Sequence, residues 1–318
     1  MNDIITIALK AFPVIALITT GVVLEKTAFI SAEDVNGMKK LIMNLALPCL
    51  LFLILLDADL QADYLWGSVA VFITCLLAFS LGFLFKKIWK SSNAFFLAVY
   101  SSFVTGVIGY PLFISTFGAE HLYKLAILDI GNLLFIFIVL ATFLDKVGCN
   151  QTGRKRMSLK DQIKHIVKSP FLISMFLGIL VSMLDGRTFF HTNPATAALL
   201  TAAGMLAEIT LPLILLVIGY ELHFDLKQLL VPLSAVLLRI GMMLLLAYLL
   251  NTFVIDRLLG LDRLFQMAVY TMFICPPSFI IPVFIEGDCP DKSFIMNFLS
   301  LNVILSIVTF IILMTVLL

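Results

Sequence analysis

Long apolar runs separated by short polar segments extend over nearly the whole chain of 318 residues. A helix that crosses a bilayer needs about 20 consecutive, mainly apolar residues, and most of these runs approach that length. The pattern therefore predicts about ten transmembrane helices. Their expected positions are residues 4–25, 40–56, 64–85, 94–118, 122–144, 170–184, 196–219, 229–253, 264–285 and 294–317.

Two of the predicted helices contain several residues that interrupt a helix. In a helix interior, Gly costs about 1 kcal/mol and Pro about 3 kcal/mol relative to Ala. A helix that breaks at membrane depth exposes backbone groups that lipid cannot satisfy, so such breaks persist only where they face protein or a polar cavity. The fourth helix contains Gly106, Gly109 and Pro111 within residues 100–117, and the ninth contains Pro276, Pro277 and Pro282 within residues 270–286.

Paired breaks at matching places in two halves of a chain indicate a transporter binding site. The simpler interpretation is that Gly and Pro only kink ordinary helices. Each break yields two half-helices whose inner ends carry roughly half a unit charge. If the two breaks cross, the positive ends and free N–H groups can hold a carboxylate, and Thr105, Tyr110 and Ser278 add hydroxyl groups there.

The composition agrees with a membrane protein, because 61% of the residues are hydrophobic and 13% are charged, whereas soluble domains have about 25% charged residues. The predicted fold class is an all-α polytopic membrane protein. The five cysteines show no CxxC spacing, which predicts free thiols rather than disulfides or a metal site. The net charge of +1 gives no indication of nucleic-acid binding. The sequence contains no phosphate-binding loop and no nucleophile motif, so no enzyme is predicted.

Lysine and arginine are distributed unevenly among the predicted loops, and the odd-numbered loops contain most of the 21. Cytoplasmic loops carry an excess of these residues. The odd-numbered loops are therefore predicted to be cytoplasmic, with both termini facing outward from the inner cell membrane. The longest connection, the basic loop at 146–169, separates a first five-helix repeat at 1–145 from a second at 170–318.

Five helices per half is an odd number, so a repeat in the second half must be inverted relative to the first. Short matches between the halves support such a repeat. The sequence NLALPCLL that begins at Asn44 resembles EITLPLIL that begins at Glu208. The further matches, at similar offsets, are Pro13 with Pro170, Gly21 with Gly178, Tyr100 with Tyr270 and Asn132 with Asn302.

Four polar side chains within the predicted helices are candidates for chemistry. Glu208 and Arg239 lie near the middle of helices seven and eight, where a charge costs about 2.5–3.5 kcal/mol and usually has a partner. They are predicted either to form an ion pair or to leave Glu208 free to carry a proton. Asp129 and Asn132 share one helix face, and they are expected to line a polar path or to bond to a neighbouring backbone.

Asn44 and Glu208 each precede a proline by four residues, Pro48 and Pro212. A proline frees the carbonyl four positions earlier. Each position therefore combines a free carbonyl with a polar side chain, which is a candidate site for a cation, a proton or a substrate. The alternative is a helix kink that is repaired locally.

Three segments together resemble the auxin efflux carrier family, which includes bacterial malonate-type carriers and plant PIN auxin exporters. They are residues 44–52 (NLALPCLLF), 104–112 (VTGVIGYPL) and 277–284 (PSFIIPVF). The resemblance implies two inverted five-helix repeats, with broken helices four and nine that cross at Pro111 and Pro282. It also implies transport of organic anions by an elevator-like motion, and a homodimer.

The resulting hypothesis is a secondary active transporter that exports or exchanges a small organic anion such as a carboxylate. No resident cofactor is expected. A proton or sodium is the candidate coupling ion, and membrane lipid surrounds the protein. The alternatives are a cation–proton antiporter of related fold, disfavoured because no acid lies within the broken helices before Glu286, and a non-transporting sensor or scaffold. The predicted substrate-binding residues are Thr105, Gly106, Gly109, Tyr110, Pro111, Pro276, Pro277, Ser278 and Pro282, with Asn44, Glu208, Asp129, Asn132 and Arg239 in coupling or supporting roles.

Overall fold

The computed structural model describes residues 2–88, 93, 95–152, 168–184, 186–221, 230–284 and 291–317. Every regular element within these ranges is helical, in agreement with the predicted fold class. The helices of the first half are α1 (Asn2–Lys26), α2 (Ala32–Leu41), α3 (Leu47–Leu56), α4 (Ala62–Ile88), α5 (Tyr110–Phe117), α6 (Leu122–Phe135) and α7 (Ala141–Thr152).

The second half begins after the predicted basic loop, most of which lies outside the described residues. Its helices are α8 (Pro170–Met183), α9 (Arg187–Thr192), α10 (Pro194–Glu208), α11 (Thr210–Glu221), α12 (Leu230–Leu250), α13 (Arg263–Ile274) and α14 (Asp291–Leu317). Shorter elements are the π-helical turns Ile42–Ala46, Thr105–Gly109, Ile136–Leu140 and Asn251–Asp256, and the 3-10 turns Ala98–Tyr100, Ala119–His121 and Ile281–Phe284.

Six helical segments in the described part of the chain are long and apolar enough to cross a membrane. This supports a multi-pass membrane protein, whereas the full count of ten helices stays a prediction. Helix α8 shows why the two counts differ, because its 14 residues extend only about 21 Å at 1.5 Å per residue. The six segments are Ala32–Leu56, Asp63–Ile88, Ala119–Val147, Pro194–Glu221, Leu230–Asp256 and Ser293–Leu317.

The centre of the molecule is formed by α6 and α13. Almost all residues of α6 between Leu122 and Asn132 are buried, and so are most residues of α13. Large apolar side chains such as Trp66, Leu199 and Val231 are exposed on the outer helices. A soluble protein rarely exposes so much apolar surface, so the outer surface suits contact with lipid.

Helices from the two halves pack against each other in a reciprocal way. Helix α1 of the first half packs along α11 of the second, and α3 of the first packs along α8 of the second. Gly21 and Gly219 lie where α1 and α11 approach most closely. A Cβ atom on Gly21 would collide with the carbonyl of Leu216, and one on Gly219 would collide with the carbonyl of Ile18. Small residues thus allow the two backbones to touch.

Ion pairs connect the helix ends. Lys39 bonds to Glu221 across the ends of α2 and α11. Lys124 at the start of α6 bonds to Asp262 just before α13. In each pair, both residues belong to loops that the predicted topology places on the same side of the membrane. The same is true of Asp57, whose carboxylate lies 3.2 Å from Arg187 Nε and 2.8 Å from His191 Nε2.

Candidate functional site: the crossing of two broken helices

The first broken helix loses helical structure at residues 101–104, between the 3-10 turn Ala98–Tyr100 and the π-helical turn Thr105–Gly109. The predicted interruption at Gly106, Gly109 and Pro111 is therefore displaced by a few residues toward the N-terminus. Pro111 lies in the first turn of α5, where the missing N–H has no helical acceptor to lose. The π-helical turn Thr105–Gly109 leads directly into α5, so Pro111 lies within the half-helix that follows the break and does not interrupt it.

The second broken helix is interrupted where its sequence predicts. Helix α13 ends at Ile274, and Cys275 is extended, with φ −60° and ψ 149°. A residue that precedes a proline avoids the helical region, because the proline ring clashes with its backbone. The two consecutive prolines Pro276 and Pro277 therefore end the helix, and helical structure resumes only at the 3-10 turn Ile281–Phe284.

The two breaks meet in the interior. The N–H of Val104 donates to the carbonyl of Pro276 at 2.8 Å, and the N–H of Ser278 donates to Ser102 Oγ at 3.2 Å. The backbone contact therefore lies at Val104 and Pro276, not at Pro111 and Pro282 as the family resemblance implies. Pro282 lies in the 3-10 turn beyond the contact.

Gly109 permits the close approach of the two broken helices. A Cβ atom at this position would lie 3.0 Å from the Sγ atom of Cys275 in the second break. Such a distance is tighter than ordinary van der Waals contact. Gly109 is thus a packing residue at the crossing, and it does not line the cavity described below.

Arg239 of α12 binds the carbonyl groups that the two breaks expose. Its side chain is fully buried. Nε donates to the carbonyl of Val99 at 2.8 Å, in the 3-10 turn just before the first break, and Nη2 donates to that of Ser102 at 2.8 Å, within the break. Nη1 donates to the carbonyl of Cys275 at 2.9 Å, in the second break. The guanidinium group thus cross-links both interruptions.

Of the two alternatives for Glu208 and Arg239, the ion pair does not form in the described structure. Glu208 is exposed at the end of α10, whereas Arg239 is buried and bonded to the carbonyls of the crossing. Helix breaks supply oxygen acceptors inside the protein, so the arginine has neutral partners and does not need a carboxylate.

Asn132 repairs the backbone of the first break. Its Oδ1 accepts the N–H of Phe103 at 3.1 Å, and its Nδ2 donates to the carbonyl of the same residue at 2.9 Å. Asn132 Nδ2 also donates to Asp129 Oδ1 at 2.8 Å, and the Tyr110 hydroxyl donates to Asp129 Oδ2 at 3.2 Å. Both alternatives foreseen for Asp129 and Asn132 therefore apply, because Asn132 bonds to backbone and both residues line a cavity.

A cavity of about 470 Å³ lies beside the crossing. Thr105 and Ser278 line it, together with Asp129, and the Thr105 side chain is buried. Lys39 and Glu221 also line it, and their side chains are 37% and 43% exposed. The cavity therefore extends from the crossing to the surface at this ion pair. Most of its remaining lining is apolar, including Leu47, Phe103, Ile136, Phe171, Ile214 and Val217.

A second cavity of about 440 Å³ borders on the same ion pair. Lys39 and Glu221 line both cavities, and so does Phe279 of the second break. Pro282 lines only the second cavity. The ion pair and the second broken helix thus border both cavities.

The predicted site residues divide into three groups. Thr105, Gly106, Ser278, Asp129 and Asn132 line the larger cavity. A second group surrounds the crossing without reaching the cavity surface. It consists of Gly109, Tyr110, Pro111, Pro276, Pro277 and Arg239, all buried. Pro282 and the pair Asn44 and Glu208 form the remaining group, away from the crossing cavity.

Asn44 and Glu208 do not support the site as predicted, because both are exposed on the outer surface. The Asn44 amide donates to the carbonyl of Lys40 in its own chain segment at 2.9 Å. Asn44 lies within the π-helical turn Ile42–Ala46, whose wider winding accommodates the proline at position 48. This local repair is the alternative that the sequence left open.

Residues that the sequence did not single out also form the site. Phe103 and Val104 lie next to Thr105, and Phe279 follows Ser278. Lys39 and Glu221 come from distant helices. Phe103 and Phe279 lie next to the predicted breaks in the sequence, so their place in the site could have been predicted. Nothing in the local sequence indicates that Lys39 and Glu221 meet. No cluster of metal-binding side chains occurs among the residues that the structure describes.

Two archaeal proteins are similar to this chain. An uncharacterized transporter of Methanothermobacter thermautotrophicus is 26% identical over 216 residues, which cover 66% of this chain and 66% of that protein. An uncharacterized transporter of Methanocaldococcus jannaschii is 26% identical over 217 residues, which cover 66% of this chain and 67% of that protein. The matched region thus spans about two thirds of each relative.

No protein-family model matches the chain. The resemblance to the auxin efflux carrier family therefore depends on the three quoted segments, and it stays a prediction.

Proposed function

We propose that this protein is a secondary active transporter of a small organic anion, located in the cell membrane with both termini facing outward. The observation that carries the proposal is the contact of two helix breaks, at Val104 and Pro276, beside a cavity of about 470 Å³. Irregular backbone inside a membrane is tolerated where it is buried or lines a cavity, and paired breaks of this kind form the binding sites of many transporters. Both archaeal relatives carry the description "transporter".

The chemistry of the cavity supports an anion with an apolar body. Thr105, Gly106 and Val107 form the start of the helical segment after the first break and line the cavity. The first N–H groups of a helical segment have no acceptor within it, and this end carries a partial positive charge. A carboxylate can therefore bind here, while its apolar part contacts Phe103, Ile136 or Phe171. The volume is typical of small-molecule sites.

The packing of the two halves supports the proposed inverted repeat. Helix α1 packs with α11 and α3 packs with α8. In the predicted numbering, these contacts join helix one to helix seven and helix two to helix six. A repeat that relates helix one to helix six and helix two to helix seven would convert the first contact into the second. An elevator-like motion of the crossing against a scaffold, and association into a homodimer, belong to this proposal through the family resemblance.

A cation–proton antiporter is the second candidate, and one observation favours it. The sequence places no acid within the broken helices before Glu286, but the fold brings Asp129 of α6 to the cavity beside the first break. Buried carboxylates in membrane proteins commonly bind protons or cations.

Transport assays with purified protein in liposomes test the proposal. A panel of labelled monocarboxylates and dicarboxylates should reveal uptake or exchange by the unaltered protein and slower transport by Ser278→Ala and Thr105→Ala. Ser234→Ala is the matched control, because this exposed serine bonds only to a carbonyl of its own helix. No transport of any carboxylate, together with dissipation of a pH gradient on addition of sodium, would favour the antiporter.

A further inference from the structure

Arg239 has a set of partners that is unusual for a buried cation. A charge inside a membrane protein is usually paired with an opposite charge. The partners of this guanidinium are instead neutral oxygens, namely the carbonyls of Val99, Ser102 and Cys275, and at 3.4 Å the amide oxygen of Asn302. No carboxylate lies within ion-pair distance in the part of the chain that the structure describes.

Oxygens of this chemical type are also the ligands that small metal cations prefer. Hard cations take oxygen ligands, and selective cation sites in membrane proteins are built from backbone carbonyls. In transporters with discontinuous helices, unwound carbonyls and the C-terminal ends of half-helices coordinate the coupling sodium. Cys275 lies at the C-terminal end of α13, which carries roughly half a negative charge. Val99 lies in the 3-10 turn that precedes the first break, and Ser102 lies in the break itself.

We infer that the guanidinium group of Arg239 is a built-in cation that permanently fills the position between the two breaks where a coupling metal ion would otherwise bind. The substrate site at the crossing then needs no sodium for its assembly. The consequence for transport rests on the proposed function. The replacement of a metal ion by Arg239 depends only on the arginine and the carbonyls that it binds.

The surroundings of Arg239 support a fixed rather than a mobile charge. The guanidinium carbon also lies 5.8 Å from the centre of the Phe103 ring, within the range of a cation–π contact. Arg239 does not line either of the two cavities described above. The guanidinium is therefore held from several directions and has no direct contact with the space proposed for substrate.

Thermal unfolding of the purified full chain tests the inference without any substrate. The unaltered protein and Arg239→Ala are compared in sodium chloride, methylguanidinium chloride and choline chloride at equal millimolar concentrations. The unaltered protein should unfold at the same temperature in all three salts. Arg239→Ala should unfold at a lower temperature in choline and recover a few degrees in sodium or methylguanidinium, since a ligand that binds only the folded state stabilises it.

Lys124→Ala is the matched control. Lys124 is also a buried cation, but it lies away from the crossing and its partner Asp262 is half-exposed. This variant should show no selective recovery in sodium or methylguanidinium. The inference is overturned if sodium stabilises the unaltered protein relative to choline, or if Arg239→Ala folds and responds to no cation.

A conservative variant keeps the test decisive if Arg239→Ala cannot be purified. Arg239→Lys retains a cation with three donors, so it should fold and remain insensitive to sodium, whereas a sodium-dependent Arg239→Lys would contradict the inference. Carboxylate transport by the unaltered protein should also be equal in sodium and choline. Failure of all transport would affect the proposed function, while the unfolding results would still decide the role of Arg239.

Discussion

The N–H of Val104 donates a hydrogen bond of 2.8 Å to the carbonyl of Pro276. Each residue lies in a break of a different helix, so each break supplies a partner that the other has lost. An unpaired backbone group in a membrane costs several kcal/mol. The two interruptions are therefore stable because they occur together, and the crossing is a structural unit held further by Arg239 and Asn132.

Replacing Asn132 by Ala should destabilise the crossing. The substitution removes the partners of both backbone groups of Phe103, and each buried group left unsatisfied costs about 1–3 kcal/mol. We expect a clear decrease in the thermal unfolding midpoint and loss of transport. Asn44→Ala is the control, because this exposed amide bonds only within its own helix and its loss should change stability by no more than about 0.5 kcal/mol. Equal effects of the two substitutions would contradict the role of Asn132.

Two glycine-to-alanine substitutions in the same predicted transmembrane helix should have opposite effects on stability. A Cβ atom at Gly219 would collide with the backbone of α1 at Ile18, so Gly219→Ala should separate α1 from α11 and destabilise the protein. Nothing lies within 4 Å of a Cβ atom at Gly204, which lies inside α10. Gly204→Ala should therefore stabilise the helix by about 0.5–1 kcal/mol. Thermal unfolding of both variants measures the difference, and a stable Gly219→Ala would show that the close contact is not required.

The hydroxyl of Tyr110 should stabilise the carboxylate of Asp129. Tyr110→Phe removes one hydrogen bond to a buried group, which costs about 1–3 kcal/mol, and we expect slower transport as well because Asp129 lines the cavity. Tyr220→Phe is the control, since its hydroxyl makes only a long bond of 3.4 Å to Ile30. If Tyr110→Phe matched the unaltered protein in unfolding and transport, the hydroxyl would have no role at the site.

The ion pair between Lys39 and Glu221 should control access more than stability. Both side chains are partly exposed, and the coupling energy of such a pair is about 0.2–1 kcal/mol. A double-mutant cycle of Lys39→Gln and Glu221→Gln, measured by thermal unfolding, should give a value in this range that decreases with salt.

Access is measured by thiol labelling. A cysteine introduced at Val107, which lines the larger cavity, should react faster after Glu221→Gln, in a protein whose own cysteines are replaced. Asp57→Asn breaks the ion pairs among the other set of loops and should leave the labelling rate unchanged. A rate insensitive to Glu221→Gln would mean that the ion pair does not limit entry.

Part of the site followed from the sequence. Two prolines in succession at 276 and 277 end a helix through their own geometry, and the structure has the second break there. The first break is displaced, because Gly106 and Pro111 are accommodated in the π-helical turn Thr105–Gly109 and the helix α5 that follows it. The actual interruption at residues 101–104 depends on Asn132 and Arg239, which come from other helices.

Local sequence determined that this chain is helical and apolar enough to cross a membrane, and that two of its segments contain interruptions, since hydropathy and backbone restrictions act over a few neighbouring residues. The tertiary structure alone decided which partners those interruptions have. Glu208, for which an ion pair with Arg239 was one of two alternatives, is exposed, and the arginine bonds to backbone carbonyls. Such choices depend on the free energy of burying a polar group, and that energy is set by residues far apart in the chain that meet only in the folded protein.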